Sequence, residues 1–374
     1  MFRSQVAVLD FGSSKITVLV GERGVGNTLR VKAKGMSDYD GFMDGSFLNI
    51  EALKNNIFTA VYDAEKMLNK KIKKIYIGTP AEFCFNKCTF LELTFNNKTK
   101  IKQRHINKLF ALNKDKIVSD VNTVINKVPI YYILDDGNKI SDPINCVTSS
   151  IKVFTSFILV DNDFIKQVST ALFNIGISNF EFVSSNLVEA LYLIEPEHRE
   201  KGAILIDCGF ITTSVANILG DGIVDLKSFS LGGGHIASDL SELLKIPFYS
   251  AEQLKRKLVL SLDVTPQDYY EALVNNKITK FSSKIVNDIT LARIDMICEA
   301  VLKCLEDFSN SILPSTTVYL TGGGLSYIKG IKDYLSNYLK YEINIVMPHP
   351  LQLQKPELSG EVALLDVSLT MENS

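Results

Sequence analysis

Two short stretches of this chain carry residues suited to phosphate chemistry. Asp10-Phe11-Gly12-Ser13-Ser14-Lys15 is one; Asp207-Cys208-Gly209, followed by Thr212-Thr213-Ser214, is the other. Each sets a carboxylate, a glycine and hydroxyls within a few residues. Glycine lets backbone N–H groups come close to a ligand, and N–H groups with hydroxyls can wrap phosphate oxygens. Mg²⁺ keeps much of its hydration shell, so Asp10 and Asp207 could hold such an ion through its waters. Lys15 can balance phosphate charge. Two glycine triplets, Gly232-Gly233-Gly234 and Gly322-Gly323-Gly324, each lie between a strand-like and a helix-like stretch. A helix N-terminus favours anions, so each triplet reads as a phosphate-facing turn or as a tight strand-to-helix turn. Neither the G-x-G-x-x-G fingerprint nor a Walker A motif is present.

The elements that would position these residues follow from hydrophobic spacing. Gln5–Leu9 and Ile16–Val20 flank the first motif as two strands of a hairpin, with Asp, Ser and Lys at its tip. Ala203–Ile206 and the apolar residues up to Ile218 flank the second in the same way. The unit recurs 197 residues later, from Asp10 to Asp207, which predicts a duplicated α/β domain with a cleft between its halves. Leu53, Ile57, Val61, Ala64 and Leu68 predict a helix over about 51–69, capped by Asn49 or Ser46. Ile75–Ile77 reads as a strand.

Residues 84–158 read as a separate module. Its strands are Phe90–Leu93, Val128–Ile133 and Ser150–Val160, with a turn at Asp135–Asn138. Asn96–Lys108 is polar and basic, and its lysines read as a solvated face. A helix over Phe164–Phe173 stops at Gly176. A strand over Ile177–Ser184, a helix over Leu187–Ile194 and a polar link over Pro196–Lys201 follow. Asp225–Leu231 and Thr317–Leu320 read as strands, each preceding a helix, Ile236–Leu244 and Gly330–Leu339. A further helix near Ile289–Leu305 offers Ile289, Ala292, Ile297, Ala300, Val301 and Leu305 as its buried stripe.

Composition narrows the classes. The chain has 374 residues, 46% hydrophobic and 22% charged, with a formal net charge of -2. It carries enough apolar surface to fold, and no global basic field for nucleic acid. No apolar run approaches the ~18 residues of a membrane span, and the N-terminal apolar stretch is stopped by Asp10, unlike a signal peptide. The six cysteines lack zinc-site spacing and read as free thiols in a reducing compartment.

These motifs, in this order, resemble the actin-like ATPase superfamily, and within it the FtsA cell-division family. Residues 8–15 look like its first phosphate motif, Gly202–Val215 its second and Val318–Gly330 its adenosine motif. Glu195–Lys201 and Ala251-Glu252-Gln253-Leu254-Lys255 also follow the FtsA pattern. The resemblance implies an α/β actin-like ATPase fold: two duplicated halves around a nucleotide cleft, with a small inserted FtsA-type domain. It divides the chain into domain I (1–83 and 159–196), the insert (84–158), the domain II core (197–245 and 311–344), a mostly helical subdomain (246–310), and a return to domain I with the tail (345–374).

The implied ligands are ATP and Mg²⁺. Gly12, Ser13, Ser14, Lys15, Gly209, Thr212, Thr213, Gly233, Gly234, Gly322, Gly323 and Gly324 would meet the nucleotide. Glu252 and Lys255, one helical turn apart, would meet ribose and adenine, or simply form an ion pair. The implied role is a cytoplasmic scaffold that can lie peripherally at the inner membrane face of the division site. It would self-associate into filaments and recruit the FtsZ ring through the FtsZ C-terminal tail, alongside other division proteins. A PilM-like pilus adaptor and a small-molecule kinase of the superfamily are the alternatives.

Several positions depart from the pattern. Phe210 and Ile211 stand where glycines are usual, and Ser214 where the second motif ends in Asp, so Phe210 is expected to crowd the phosphates or force a different hairpin twist. No catalytic residue is assigned, and any ATPase activity is expected to be slow. Ala363 replaces a usual Gly. The residues after Leu365 are too few and too acidic for an amphipathic membrane helix, so membrane contact is expected only if such a helix exists in the full protein.

Overall fold

A computed structural model describes residues 5–39, 41–113, 121–260, 264–265 and 267–372. The first half begins with β1 (Gln5–Phe11), β2 (Lys15–Arg23), β3 (Leu29–Asp38) and the short β4 (Phe42–Met43) and β5 (Ser46–Phe47). Then come α1 (Ile50–Leu68), β6 (Lys74–Thr79), β7 (Cys84–Lys100), α2 (Gln103–Leu112), β8 (Asn122–Leu134) and β9 (Lys139–Ile140). It closes with β10 (Val147–Asp161), α3 (Asn162–Asn174), β11 (Asn179–Ser184) and α4 (Ser185–Leu193). The second half holds α5 (Pro196–Glu200), β12 (Ala203–Cys208), β13 (Thr213–Leu219), β14 (Gly222–Phe229), α6 (Gly233–Leu244) and α7 (Phe248–Lys255). It continues with β15 (Tyr269–Val274), β16 (Lys277–Ser282), α8 (Ser283–Asp307), β17 (Thr317–Thr321), α9 (Ile331–Leu339), β18 (Ile343–Ile345) and α10 (Ser359–Glu372).

The duplication is visible in the two main sheets. Their strand orders are β11-β6-β1-β2-β3 and β18-β17-β12-β13-β14. In each, an antiparallel three-strand meander is extended on one side by two parallel strands. The register repeats as well: Asp10 lies opposite Thr17, and Asp207 opposite Ser214. The sequence repeat thus comes from two copies of one topology, with each carboxylate at the same place on its hairpin.

Helix α1 forms because Leu53, Ile57, Val61 and Ala64 share one face, all buried. Asn49 caps it by accepting from the Ala52 N–H at 3.0 Å. Helix α10 returns from the second half to the first. Its Leu364, Leu365 and Leu369 are fully buried with Val8, Leu19, Val183 and Val188, at about 1.5–3 kcal/mol per buried side chain.

Several elements differ from the expectations above. The strand at Phe90–Leu93 is the middle of a 17-residue strand, β7, which takes in much of the basic stretch. Its alternating exposure hid its length. The remainder forms α2, whose Ile106 and Leu109 cover Leu91, Tyr132 and Ile151 of the insert's own sheet, β7-β10-β8-β9. Lys98, Lys100, Lys102, Arg104 and Lys108 are all exposed. Residues 246–310 include a β-hairpin, β15–β16, beside the helices. On α8, Ala292 is exposed and the buried face runs through Val286, Thr290, Ile294, Ile297 and Val301.

The polar link at Pro196–Lys201 is a short helix that buries Arg199. Its guanidinium donates to the Ile194 carbonyl and, at 3.2 Å, to the Gly220 carbonyl, and pairs with Asp221 at 2.6 Å. This ties α4 and α5 to the β13–β14 turn. Arg199→Ala is expected to cost about 3 kcal/mol, because it orphans buried carbonyls. A lower urea midpoint at unchanged slope would register that loss.

Candidate functional site

The cleft between the halves has the first hairpin on one wall and the second on the other. Between β1 and β2 the turn is Gly12-Ser13-Ser14, pinned by the Tyr39 hydroxyl donating to the Gly12 carbonyl at 2.8 Å. Between β12 and β13 it runs from Gly209, whose N–H closes onto the Thr212 carbonyl at 2.9 Å. The two tips meet: the Ile211 N–H donates to Ser13 Oγ at 2.9 Å. Nearer the mouth, the Ser230 hydroxyl faces Asp44 at 3.2 Å and Glu82 at 3.3 Å, a second tie across the halves.

The cavity holds about 400 Å³, within the range of small-molecule sites. Asp10, Gly12, Ser13, Ser14, Lys15, Asp207, Gly209, Thr212, Glu252, Lys255, Gly322, Gly323 and Gly324 all line it. Thr213, Gly233 and Gly234 do not. The Thr213 hydroxyl donates to the Leu231 carbonyl at 2.6 Å. The N–H groups of Gly233 and Gly234 donate to the Gly209 and Phe210 carbonyls, at 2.9 and 2.7 Å. These donors are spent on joining loops behind the wall. A Cβ at Gly233 would fall 2.4 Å from the Gly324 Cα, so that triplet serves close packing of two turns.

Phe210 borders the cleft, but its ring packs on Gly234 and meets Phe248 edge-on at 5.9 Å. The side chain expected to crowd the phosphates is drawn toward α6 and α7 by apolar contact. Lys255 is buried, donates to the Gly233 carbonyl at 3.0 Å and pairs with Glu252 at 2.8 Å. Glu252 and Lys255 therefore form an ion pair and line the cleft at once.

Sequence reasoning missed the cleft floor. Helix α4, capped by Ser184, points Asn186 and Glu189 inward from an otherwise apolar face. Asn186 donates to Ser214 Oγ at 2.7 Å, and so holds the residue that stands in for the motif's Asp. Glu189 is 3% exposed, and its Oε2 has no hydrogen-bond partner among the described residues. Gly360, in the first turn of α10, packs between it and Asp10: a Cβ there would lie 3.4 Å from an oxygen of each. The signal was two polar residues three apart inside an apolar helix, a pattern that puts both on one face.

The floor is electrostatically strained. Burial pushes Asp10 up to about 7, with Glu361 and Asp207 adding repulsion. Burial raises Asp207 to about 6. Glu189 lies well above the usual carboxylate range, through burial and then the charges of Asp207 and Asp10. Lys34 pairs with Glu361 at 2.5 Å behind this group. Crowded carboxylates with an orphaned oxygen fit a divalent cation, which would relieve all three. Among the described residues no three metal-ligating side chains converge on one point. Asp10 and Asp207 suit an ion that stays in its water shell.

Comparison with known proteins places this geometry. Residues 204–363 match the family model for the cell division protein FtsA. FtsA of Staphylococcus epidermidis is 22% identical over 369 residues, covering 97% of this chain and 79% of its own. FtsA of Bacillus subtilis is likewise 22% identical, over 96% and 82%. The chain is similar to FtsA over nearly its whole length. Among solved structures, the PilM-PilN type IV pilus biogenesis complex superposes with a TM-score of 0.66 at 15% identity, covering 98% of this chain and 99% of that one. MreB5 of Spiroplasma citri bound to ADP gives 0.55 at 14%, covering 99% of each. These superpositions bear out the actin-like fold that the family resemblance implied. No described helix of the chain is long and apolar enough to cross a membrane.

Proposed function

We propose that this chain is a nucleotide-dependent cell-division scaffold, working in the cytoplasm at the division site. In this reading it binds ATP with Mg²⁺, self-associates into filaments and recruits FtsZ through the FtsZ C-terminal tail. One observation carries the nucleotide part: two hairpins of identical register face each other across a cavity floored by the carboxylates of Asp10, Glu189 and Asp207. Hairpin hydroxyls and N–H groups would hold phosphate oxygens, and Lys15 would balance their charge. Asp10 and Asp207 would hold the ion through its waters. When bound, Mg²⁺ supplies charge neutralisation at the phosphate oxygens.

Ser13 Oγ and the Ile211 N–H bond each other across the gap. A phosphate entering there exchanges that bond for its own, linking occupancy to how the halves sit together. Such coupling suits a population shift toward an assembly-competent form more than fast turnover.

Glu189 is the group on the floor suited to taking a proton from an attacking water. Burial and the charges of Asp207 and Asp10 favour its protonated form, which makes it less available as a base and keeps hydrolysis slow. Glu189→Gln is expected to lower residual ATP hydrolysis by about ten-fold or more, with ATP affinity changed by less than about three-fold. A phosphate-release assay beside a binding titration separates the two effects.

The scaffold reading is tested by sedimentation with and without Mg-ATP, and by titrating a peptide of the FtsZ C-terminal tail. Nucleotide-dependent pelleting with peptide binding supports it. A protein that stays in the supernatant and ignores the peptide contradicts it. Binding a peptide from a pilus membrane protein instead would favour the PilM-like alternative.

A further inference from the structure

The polar groups of the cleft divide into two ends. The hairpin tips and the carboxylate floor form one; Glu252, Arg256 and Glu357 form the other. A nucleotide with its phosphates at the first end puts its base at the second. There Glu357 packs on the glycine turn, since a Cβ at Gly323 would lie 2.8 Å from Glu357 Cβ. The Tyr327 hydroxyl donates to Glu357 Oε2. The Tyr327 ring is in turn covered by the Arg256 guanidinium at 5.4 Å, and Arg256 is bonded to Glu252 at 3.3 Å. One carboxylate oxygen is thus held from behind. Among the described residues no donor reaches the other, Oε1.

From this we infer that Glu357 reads the nucleobase, its open oxygen accepting a hydrogen bond from an exocyclic amino group. The site then takes an aminopurine nucleotide and rejects the hypoxanthine counterpart, which differs by a carbonyl in place of that amino group. This rests on the nucleotide reading above. A carboxylate has acceptors only, so a base carbonyl set against it faces lone pair to lone pair. Sites built to bond a donor discriminate strongly against the analogue lacking it, because their own polar group is left unpaired.

The test is calorimetric titration of ATP and ITP, each with Mg²⁺, into the wild-type chain and Glu357→Gln. The wild type is expected to bind ATP about ten-fold or more tightly than ITP. In Glu357→Gln the amide oxygen accepts from Tyr327 and the NH2 group faces the base, where it donates to the ITP carbonyl, so the ratio is expected to fall below about three-fold or invert. Equal affinities in the wild type, or an unchanged ratio in the variant, would overturn the assignment of Glu357 while leaving the nucleotide site in place. No binding of either nucleotide by the wild type would overturn the nucleotide reading and this inference with it.

Discussion

Asp10→Asn is expected to weaken Mg-ATP binding about a hundred-fold while making the ligand-free protein more stable. The two effects share one cause. Asp10 is half-buried among carboxylates, and its folded-state value of about 7 lies above its unfolded one. The folded state therefore holds a proton that the unfolded state has released. Its stabilising contribution is full below the unfolded value near pH 4 and is lost as pH rises toward 7. Above that the charged carboxylate stays in the floor at a cost. Asparagine removes the charge with little change of shape. At pH 8 the variant should gain on the order of 4 kcal/mol and show a flatter decline in stability between pH 4 and 7. With the carboxylate gone, ATP affinity in magnesium should fall about a hundred-fold, near 2.7 kcal/mol. Urea melts across pH, with a binding titration, check both. A less stable variant would mean that the Asp10 charge is compensated in the folded protein.

Gly322→Ala is expected to damage fold and site together. Gly322 has φ of +85°, and a Cβ there would lie 2.3 Å from both Asp207 Oδ1 and the Cys208 carbonyl oxygen. The left-handed conformation costs a side chain about 1–2 kcal/mol, and pushing backbone apart adds about 1–3 kcal/mol. We expect a total near 4 kcal/mol, with ATP binding lost because Asp207 must move. Gly137→Ala is the control. Its φ is +83°, but a Cβ there meets nothing within 4 Å, so only the conformational cost of about 1–2 kcal/mol applies. Similar melting shifts for the two variants would show that close approach to Asp207 is unimportant.

The hairpins were legible because two apolar runs around Asp-x-Gly admit few other conformations, and the recurrence betrayed the duplicated fold. What the sequence could not show was which groups a folded wall leaves free. Gly233 and Gly234 look like phosphate-binding glycines, yet their N–H groups close onto neighbouring carbonyls. Phe210 looks obstructive until Gly234 and Phe248 are seen to offer its ring an apolar seat. Glu189 was hidden because a single acidic residue in an apolar helix has no partner in sequence. Asp10 and Asp207 reach it only through tertiary structure. Arg199 was read as part of a polar linker because its acceptors are backbone carbonyls, which composition cannot reveal.

The central claim is that the paired hairpins form a magnesium-nucleotide cleft. Calorimetric titration of ATP with Mg²⁺ into the wild-type chain and into Asp207→Ala tests it most directly. The wild type is expected to bind one ATP per chain, more weakly when magnesium is withheld, and the variant is expected to bind none. No heat of binding in the wild type, or equal binding by Asp207→Ala, would contradict it.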